Sequence, residues 1–224
     1  MTTVRKLLAF DTSTDACTVA LKTEEGELAV HRIEAHGHAQ HLLPMIDGLL
    51  RQASIQLHEL DALVYGRGPG SFTGVRLAVA AAQGLSLSSD IKTLGLSTLA
   101  VLAQETYRRE GIRDVTVALD ARMGEIYTGR YQLDDTTNTM QACGQELVCE
   151  PAVLASHPAT AFSGSGVERY AEHVTGTVVE NVLPHALAML ELASAASEWQ
   201  LPGEATPVYL RDKVALTEKE RGVR

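Results

Sequence analysis

Gly66-Arg67-Gly68-Pro69-Gly70-Ser71-Phe72-Thr73-Gly74-Val75-Arg76 is the stretch on which the fold turns. Leu60-Asp61-Ala62-Leu63-Val64-Tyr65 precedes it, and Leu77-Ala78-Val79-Ala80-Ala81-Ala82 follows. An apolar run feeding a glycine turn that opens a helix of small residues reads as strand–turn–helix, a unit of an α/β fold. Such a turn leaves backbone N–H groups at a helix N-terminus, where an anion or a partner carbonyl can bind. The run fits neither the Walker pattern, lacking Gly-Lys-Ser/Thr, nor the Gly-x-Gly-x-x-Gly spacing of dinucleotide sites. The plainer reading is that the glycines let a strand and a helix pack closely.

On the N-terminal side, three strands open the chain, at 7–10, 17–21 and 28–33, joined by short polar connections that suit hairpins. A helix is expected over 40–53, where Leu42, Leu43, Ile46, Leu49 and Leu50 fall on one stripe and Pro44 lies in the first turn. The strand at 60–65, a helix to 87, a strand at 92–96 and a helix from the N-cap Ser97 to 109 complete the set. The same order then recurs. Strands are expected at 115–119, 125–133 and 146–149, then a short helix at 151–155 and a strand at 159–162. A helix after Gly166, a strand at 177–182 and a helix over 184–198 follow, with 134–145 read as a polar loop. Each half reads βββαβαβα, which predicts a duplicated α/β unit with lobes 1–110 and 111–224 and a mobile C-terminal tail.

Composition narrows the function. The chain has 224 residues, 45% of them hydrophobic, and a formal net charge of −9. Such an acidic chain is a poor nucleic-acid binder by itself, since phosphate contacts need clustered Lys and Arg. Arg211, Lys213, Lys219, Arg221 and Arg224 form a basic cluster, but Asp212, Glu218 and Glu220 interrupt it. Cys17, Cys143 and Cys149 are odd in number and scattered, giving no disulfide framework and no metal-binding pair. The N-terminal apolar run is too short for a signal peptide, and none approaches membrane-spanning length, so a soluble cytoplasmic chain is expected.

Few stretches could carry chemistry. Asp11-Thr12-Ser13-Thr14-Asp15 between two strands could hold a phosphate through backbone N–H groups and a metal through Asp11. Turn preference alone also explains it. Asp120-Ala121-Arg122-Met123-Gly124-Glu125 is its counterpart in the second half. Gly164 and Gly166 in Phe162-Ser163-Gly164-Ser165-Gly166 stand where two-lobed nucleotide-binding folds let the backbone approach an adenosine, or where any strand turns into a helix. His31, His36, His38, His41 and His58 show no i,i+4 pair with an acid, so no metal site is expected. No Gly-x-Ser-x-Gly elbow is present.

Together with His41-Leu42-Leu43-Pro44-Met45-Ile46-Asp47 and Pro207-Val208-Tyr209-Leu210-Arg211-Asp212, the stretches around Asp11, Gly68 and Asp120 resemble the bacterial TsaB (YeaZ) family along nearly the whole chain. The resemblance implies two actin-like (ASKHA) lobes, each RNase H-like. It implies a non-catalytic subunit that dimerises with TsaD, is joined by the ATPase TsaE, and meets tRNA only within that assembly. Threonylcarbamoyl transfer to the adenosine beside the anticodon would be the work of TsaD. The chain lacks the paired histidines that TsaD carries on a first-lobe helix, which fits a paralogue without a metal, and no cofactor is expected. His41, Met45, Gly70, Phe72, Thr73, Arg76, Ala78, Ala81 and Ala82 are the candidate partner contacts, facing TsaD or a second copy of the chain. Asp11, Ser13, Asp120, Gly164 and Gly166 are the candidates for a vestigial nucleotide motif. The competing reading is a nucleotide-dependent transferase or hydrolase built on Asp11 and Asp120.

Overall fold

A computed structural model of the chain describes residues 6–34 and 36–211. The expected mobile tail and its basic cluster beyond Arg211 lie outside the described residues. The strands are β1 Leu7–Asp11, β2 Ala16–Thr23, β3 Gly26–Ile33, β4 Ala62–Gly66, β5 Lys92–Leu96, β6 Asp114–Arg122, β7 Glu125–Asp134, β8 Thr139–Ala142, β9 Leu147–Cys149, β10 Ala161–Ser163 and β11 Thr177–Val179. The helices are α1 His38–Gln52, α2 Phe72–Ser89, α3 Thr98–Glu110, α4 Ser165–Arg169 and α5 Ala186–Ser194.

Two sheets have the same plan. The first runs β3-β2-β1-β4-β5 and the second β8-β7-β6-β10-β11, with β9 also paired to β7. In each, three antiparallel strands lead and two parallel strands join the side of the first. This is the duplicated two-lobed α/β fold that the element order predicts.

Side-chain alternation sorts the layers. From β1 and β4, Leu8, Phe10, Leu63 and Tyr65 point to one face, under Leu42, Ile46 and Leu49 of α1 and Val75, Ala78, Val79 and Ala82 of α2. Leu7, Ala9, Ala62 and Val64 point to the other face, under Ala186, Met189 and Leu190 of α5. In the second sheet Val115, Val117 and Leu119 meet Leu99, Leu102 and Ala103 of α3. The third helix of the first half thus packs on the second sheet, and the last helix of the second half packs on the first. Gln104 of α3 donates to Glu191 of α5 at 2.7 Å, and Arg108 of α3 pairs with the same carboxylate at 2.7 Å.

Several local expectations are corrected. Residues 134–145 hold β8, a four-residue strand whose Thr139 and Met140 are buried. A polar turn, 135–138, and the brevity of the strand hide it. Helix α1 begins at His38, so Pro44 is interior to it. The helix expected after Gly166 is the five-residue α4, followed by a 3-10 turn, Ala171–His173.

Candidate functional site

Each sheet carries an aspartate near the end of its first strand, Asp11 closing β1 and Asp120 two residues before the end of β6. At the first lobe, Asp11 closes β1 and is fully buried. Its Oδ1 accepts from the Ser13 backbone N–H at 2.6 Å and the Ser13 hydroxyl at 2.7 Å. Among the described residues, its Oδ2 has no hydrogen-bond partner. Burial pushes the carboxyl above its ordinary range, against the pull of the two Ser13 hydrogen bonds.

The glycine loop is what buries it. A Cβ on Gly66 would stand 1.6 Å from Asp11 Oδ2, one on Gly70 2.4 Å from the Ser13 carbonyl oxygen, and one on Gly74 1.9 Å from that of Thr12. Ser71 N–H donates to the Ser13 carbonyl at 2.7 Å, and the Thr12 hydroxyl donates to the Gly74 carbonyl at 2.7 Å. The Ser71 hydroxyl also caps α2, accepting from Gly74 N–H. The loop is therefore a clamp on the β1–β2 hairpin, which is the close-packing reading of these glycines.

The second lobe is open. Asp120 ends the regular part of β6, beyond which a bulge places Arg122 at φ 64°. The Asp120 carboxylate accepts from Arg122 N–H at 3.0 Å and lies 3.2 Å from the Arg122 guanidinium and 3.4 Å from that of Arg169. Its own N–H donates to the Ser165 hydroxyl at 3.2 Å. Gly164 and Gly166 are buried beneath this layer: a Cβ would meet the Ala118 carbonyl oxygen at 2.5 Å and the Leu119 carbonyl carbon at 2.9 Å. They let α4 lie directly on β6.

Between the two hairpins opens a cleft of about 850 Å³. Ser13, Asp120 and Ser165 line it, whereas Asp11, Gly164 and Gly166 do not. Sequence reasoning missed its arginine lining: Arg76, Arg122, Arg169 and Arg211 all reach it. Arg76, Arg122 and Arg211 stand within the motifs quoted above, with Arg76 assigned there to partner contact, but only the fold brings them together with Arg169. Residues 206–211 strap the cleft from one lobe to the other. Val208 N–H donates to the Arg67 carbonyl at 2.9 Å, Tyr209 OH accepts from Arg76 at 3.1 Å, and Arg211 pairs with Glu125. Arg76 also stacks on the Phe72 ring, 3.6 Å from its centroid.

The candidate partner contacts divide. Phe72, Thr73 and Arg76 are exposed on α2, and Ala81 is half-buried. Ala78 and Ala82 are fully buried against the chain's own sheet. On α1, His41 is half-buried and 3.2 Å from Glu34, and Met45 lies against Cys17 at 3.7 Å. Gly70 is occupied by the hairpin clamp.

The family model for TsaD, tRNA N6-adenosine threonylcarbamoyltransferase, matches residues 29–223. The chain is 36% identical over 223 residues to tRNA threonylcarbamoyladenosine biosynthesis protein TsaB of Escherichia coli, covering 94% of this chain and 96% of that protein. It is 35% identical over 224 residues to the TsaB of Haemophilus influenzae, covering 93% and 94%. The solved structure of YeaZ from Pseudomonas aeruginosa is similar at 41% identity with a TM-score of 0.85, over 92% of this chain and 100% of that one. A second structure from that organism, described as an uncharacterized protein with similarity to peptidase YEAZ, has a TM-score of 0.86 at the same identity. By sequence across its length and by fold, the chain belongs to the TsaB (YeaZ) family.

Proposed function

We propose that the chain is a non-catalytic subunit in tRNA threonylcarbamoyladenosine biosynthesis, which pairs with TsaD through the outer faces of α1 and α2. In this reading TsaD performs the transfer, TsaE joins the pair as an ATPase, tRNA is met only within the assembly, and the assembly is cytoplasmic. A second copy of the chain takes the place of TsaD when the chain is alone.

The observation that carries the reading is the surface left by α1 and α2, which share one face of the first sheet. Leu43 on α1 and Phe72 on α2 are large apolar residues held half in water. Arg76, Ala80 and Gly84 follow Phe72 along the exposed side of α2, and Gly48 lies on that of α1. A Cβ at Gly48 or Gly84 would meet nothing within 4 Å, so a partner helix has room to approach. An interface of roughly 800 Å² per partner is the standard size for such a pair. The enzymatic alternative is less favoured, because Asp11 is sealed beneath the glycine loop and offers no carboxylate oxygen to a cleft ligand.

Ala80→Arg tests the pairing. It should leave the circular dichroism spectrum unchanged and weaken TsaD association by roughly 2–5 kcal/mol through a clash and an unpaired charge. Ala78→Arg should instead unfold the first lobe, because Ala78 is core. A folded Ala80→Arg that binds TsaD like the wild type places the interface elsewhere. Transferase turnover by the purified chain alone, abolished by Asp11→Ala, would overturn the non-catalytic reading.

A further inference from the structure

We propose that β3 is a pairing edge, at which a second copy of the chain adds its own β3 antiparallel and joins the two first sheets into one. The pairing uses the edge of the sheet and is separate from the α1–α2 face assigned to TsaD.

The four sheet edges are not alike. β5 is covered: Thr93 N–H donates to the Gln200 carbonyl at 3.0 Å, and the Thr93 carbonyl accepts from Gln200 N–H at 2.8 Å. The edges of the second sheet, β11 and β8, have only three and four residues. β3 has eight, and among the described residues it pairs with β2 alone. Every second residue of such a strand aims its N–H and C=O away from the sheet, where another strand can take them. The usual guards of an edge are missing here. No proline stands in β3, and its register with β2 runs without a shift from Ala16–Ile33 to Thr23–Gly26. Its Glu27 and Arg32 are already engaged within the chain, 3.4 Å from Lys22 and 2.8 Å from Glu34. Val30 and Ile33 are apolar, yet 39% and 67% exposed.

The sequence of the strand selects the occupant. Its first half carries Glu27 and its second half His31 and Arg32. Two copies related by a two-fold axis run antiparallel, so the acidic half of each meets the basic half of the other. Centred on Ala29, the ladder uses Gly26 to Arg32. It sets Leu28 opposite Val30 of the second copy on the α1 side, and Glu27 opposite its His31 on the α5 side, each twice by symmetry. Apolar and opposite-charge cross-strand pairs both favour association. Centred on Val30, the ladder would oppose Leu28 to Arg32 and Glu27 to Ile33. Centred on Leu28, it would end at Val30 and leave His31 and Arg32 out of the paired strands. A single edge buries less than the roughly 800 Å² per partner of a standard interface, so the dimer is weak and depends on concentration.

The Ala80→Arg chain, with its α1–α2 face blocked, isolates the edge. Its sedimentation should show a monomer–dimer equilibrium that shifts with concentration, and amide exchange over 26–33 should slow as the dimer forms. Adding Ala29→Lys sets two like charges opposite each other at the dyad. It should raise the dissociation constant about fivefold or more, while exchange over 26–33 stays fast. Ala29 is exposed, and circular dichroism checks that the lysine variant folds. The exchange measurement on Ala80→Arg stands without that variant. Ala29→Lys alone should bind TsaD like the wild type, whereas a failure of the α1–α2 reading shows as TsaD binding untouched by Ala80→Arg. An Ala80→Arg chain that stays monomeric, a dimer that survives Ala29→Lys, or a dimer without slowed exchange over 26–33 overturns the proposal. Slowing over 26–33 only when TsaD is added would give the edge to TsaD, and overturns it as well.

Discussion

Gly66, Gly70 and Gly74 of the Gly66–Arg76 stretch are fixed by what they touch, and Gly84, further along α2, is not. Gly74 sits where a methyl group would stand 1.9 Å from a backbone oxygen of the opposite hairpin. Backbone cannot swing aside as a long side chain can. Gly74→Ala should therefore destabilise the chain at the upper end of the roughly 1–3 kcal/mol typical of overpacking, or beyond it. Gly84 lies in the same helix with open space at its Cβ position. Gly84→Ala should stabilise by about 0.5–1 kcal/mol, the usual gain in a helix interior. Denaturant midpoints of the two variants read the contrast directly. Equal effects would mean that the hairpin gives way, and that the loop is not a clamp. The sequence shows glycines at both places, and only the neighbour across the turn, Thr12, separates them.

At the level of elements, α5 is short and held at its start by a histidine. His185 Nδ1 accepts from Leu187 N–H at 3.1 Å, so it must be unprotonated to cap the helix. The ring stacks on His31 of β3, with centroids 4.7 Å apart. Burial lowers the pKa of both, and their remaining charged neighbours act in opposite senses. Glu105 favours charge on His31, and Arg108 opposes it on His185. The unfolded chain binds protons near 6.5 before these folded histidines do. Stability is therefore full above that pH and falls as pH drops through and below it. His157, also lowered by burial, contributes to the same slope. His31→Asn/His185→Asn should flatten much of the slope, read as thermal midpoints across that window, while His157 keeps a remainder. An unchanged slope would remove the pair from the titration. Legibility differs between such elements. The strands β1, β4 and β5 and the helices α1 to α3 follow from their apolar runs and caps. β8 does not, because four residues behind a polar turn carry too little periodicity. The candidate site was half legible. Both hairpin aspartates lie at the places expected, but nothing local tells that Asp11 is sealed while Asp120 is open. That difference comes from how far each strand–helix turn folds back: the loop before α2 closes over Asp11, whereas Gly164 and Gly166 pack α4 on Ala118 and Leu119 and leave Asp120 lining the cleft.

For the whole molecule, the cut at 110/111 separates the two sheets but not the two cores. Among the described residues, Leu7, Ala9, Ala20, Ala62 and Val64 of the first sheet are covered on one side by Ala186, Ala188, Met189 and Leu190 of α5. Val115, Val117 and Leu119 of the second sheet are covered by Leu99, Leu102 and Ala103 of α3. A sheet buries each apolar face against another layer, and here each half supplies a layer to the other. The strap at 206–211 adds a third crossing, through Val208 to Arg67 and Tyr209 to Arg76. The duplicated element order was visible in the sequence. The exchange of helices was not, because α5 is apolar enough to serve either sheet. The consequence is testable by cutting the chain. Fragment 1–110, expressed alone, leaves the α5-facing side of its sheet in water and the Leu99 and Leu102 side of α3 without a sheet. It should bind a hydrophobic dye, lack a cooperative thermal transition, and aggregate at concentrations where the full chain stays in solution. Adding fragment 111–224 should restore one shared transition, since α5 then returns to the first sheet and α3 to the second. Leu190→Asp in the second fragment should prevent that rescue, because it puts a charge into the first-lobe core. If fragment 1–110 melts cooperatively without its complement, the lobes are separate folding units and α5 is dispensable to the first sheet.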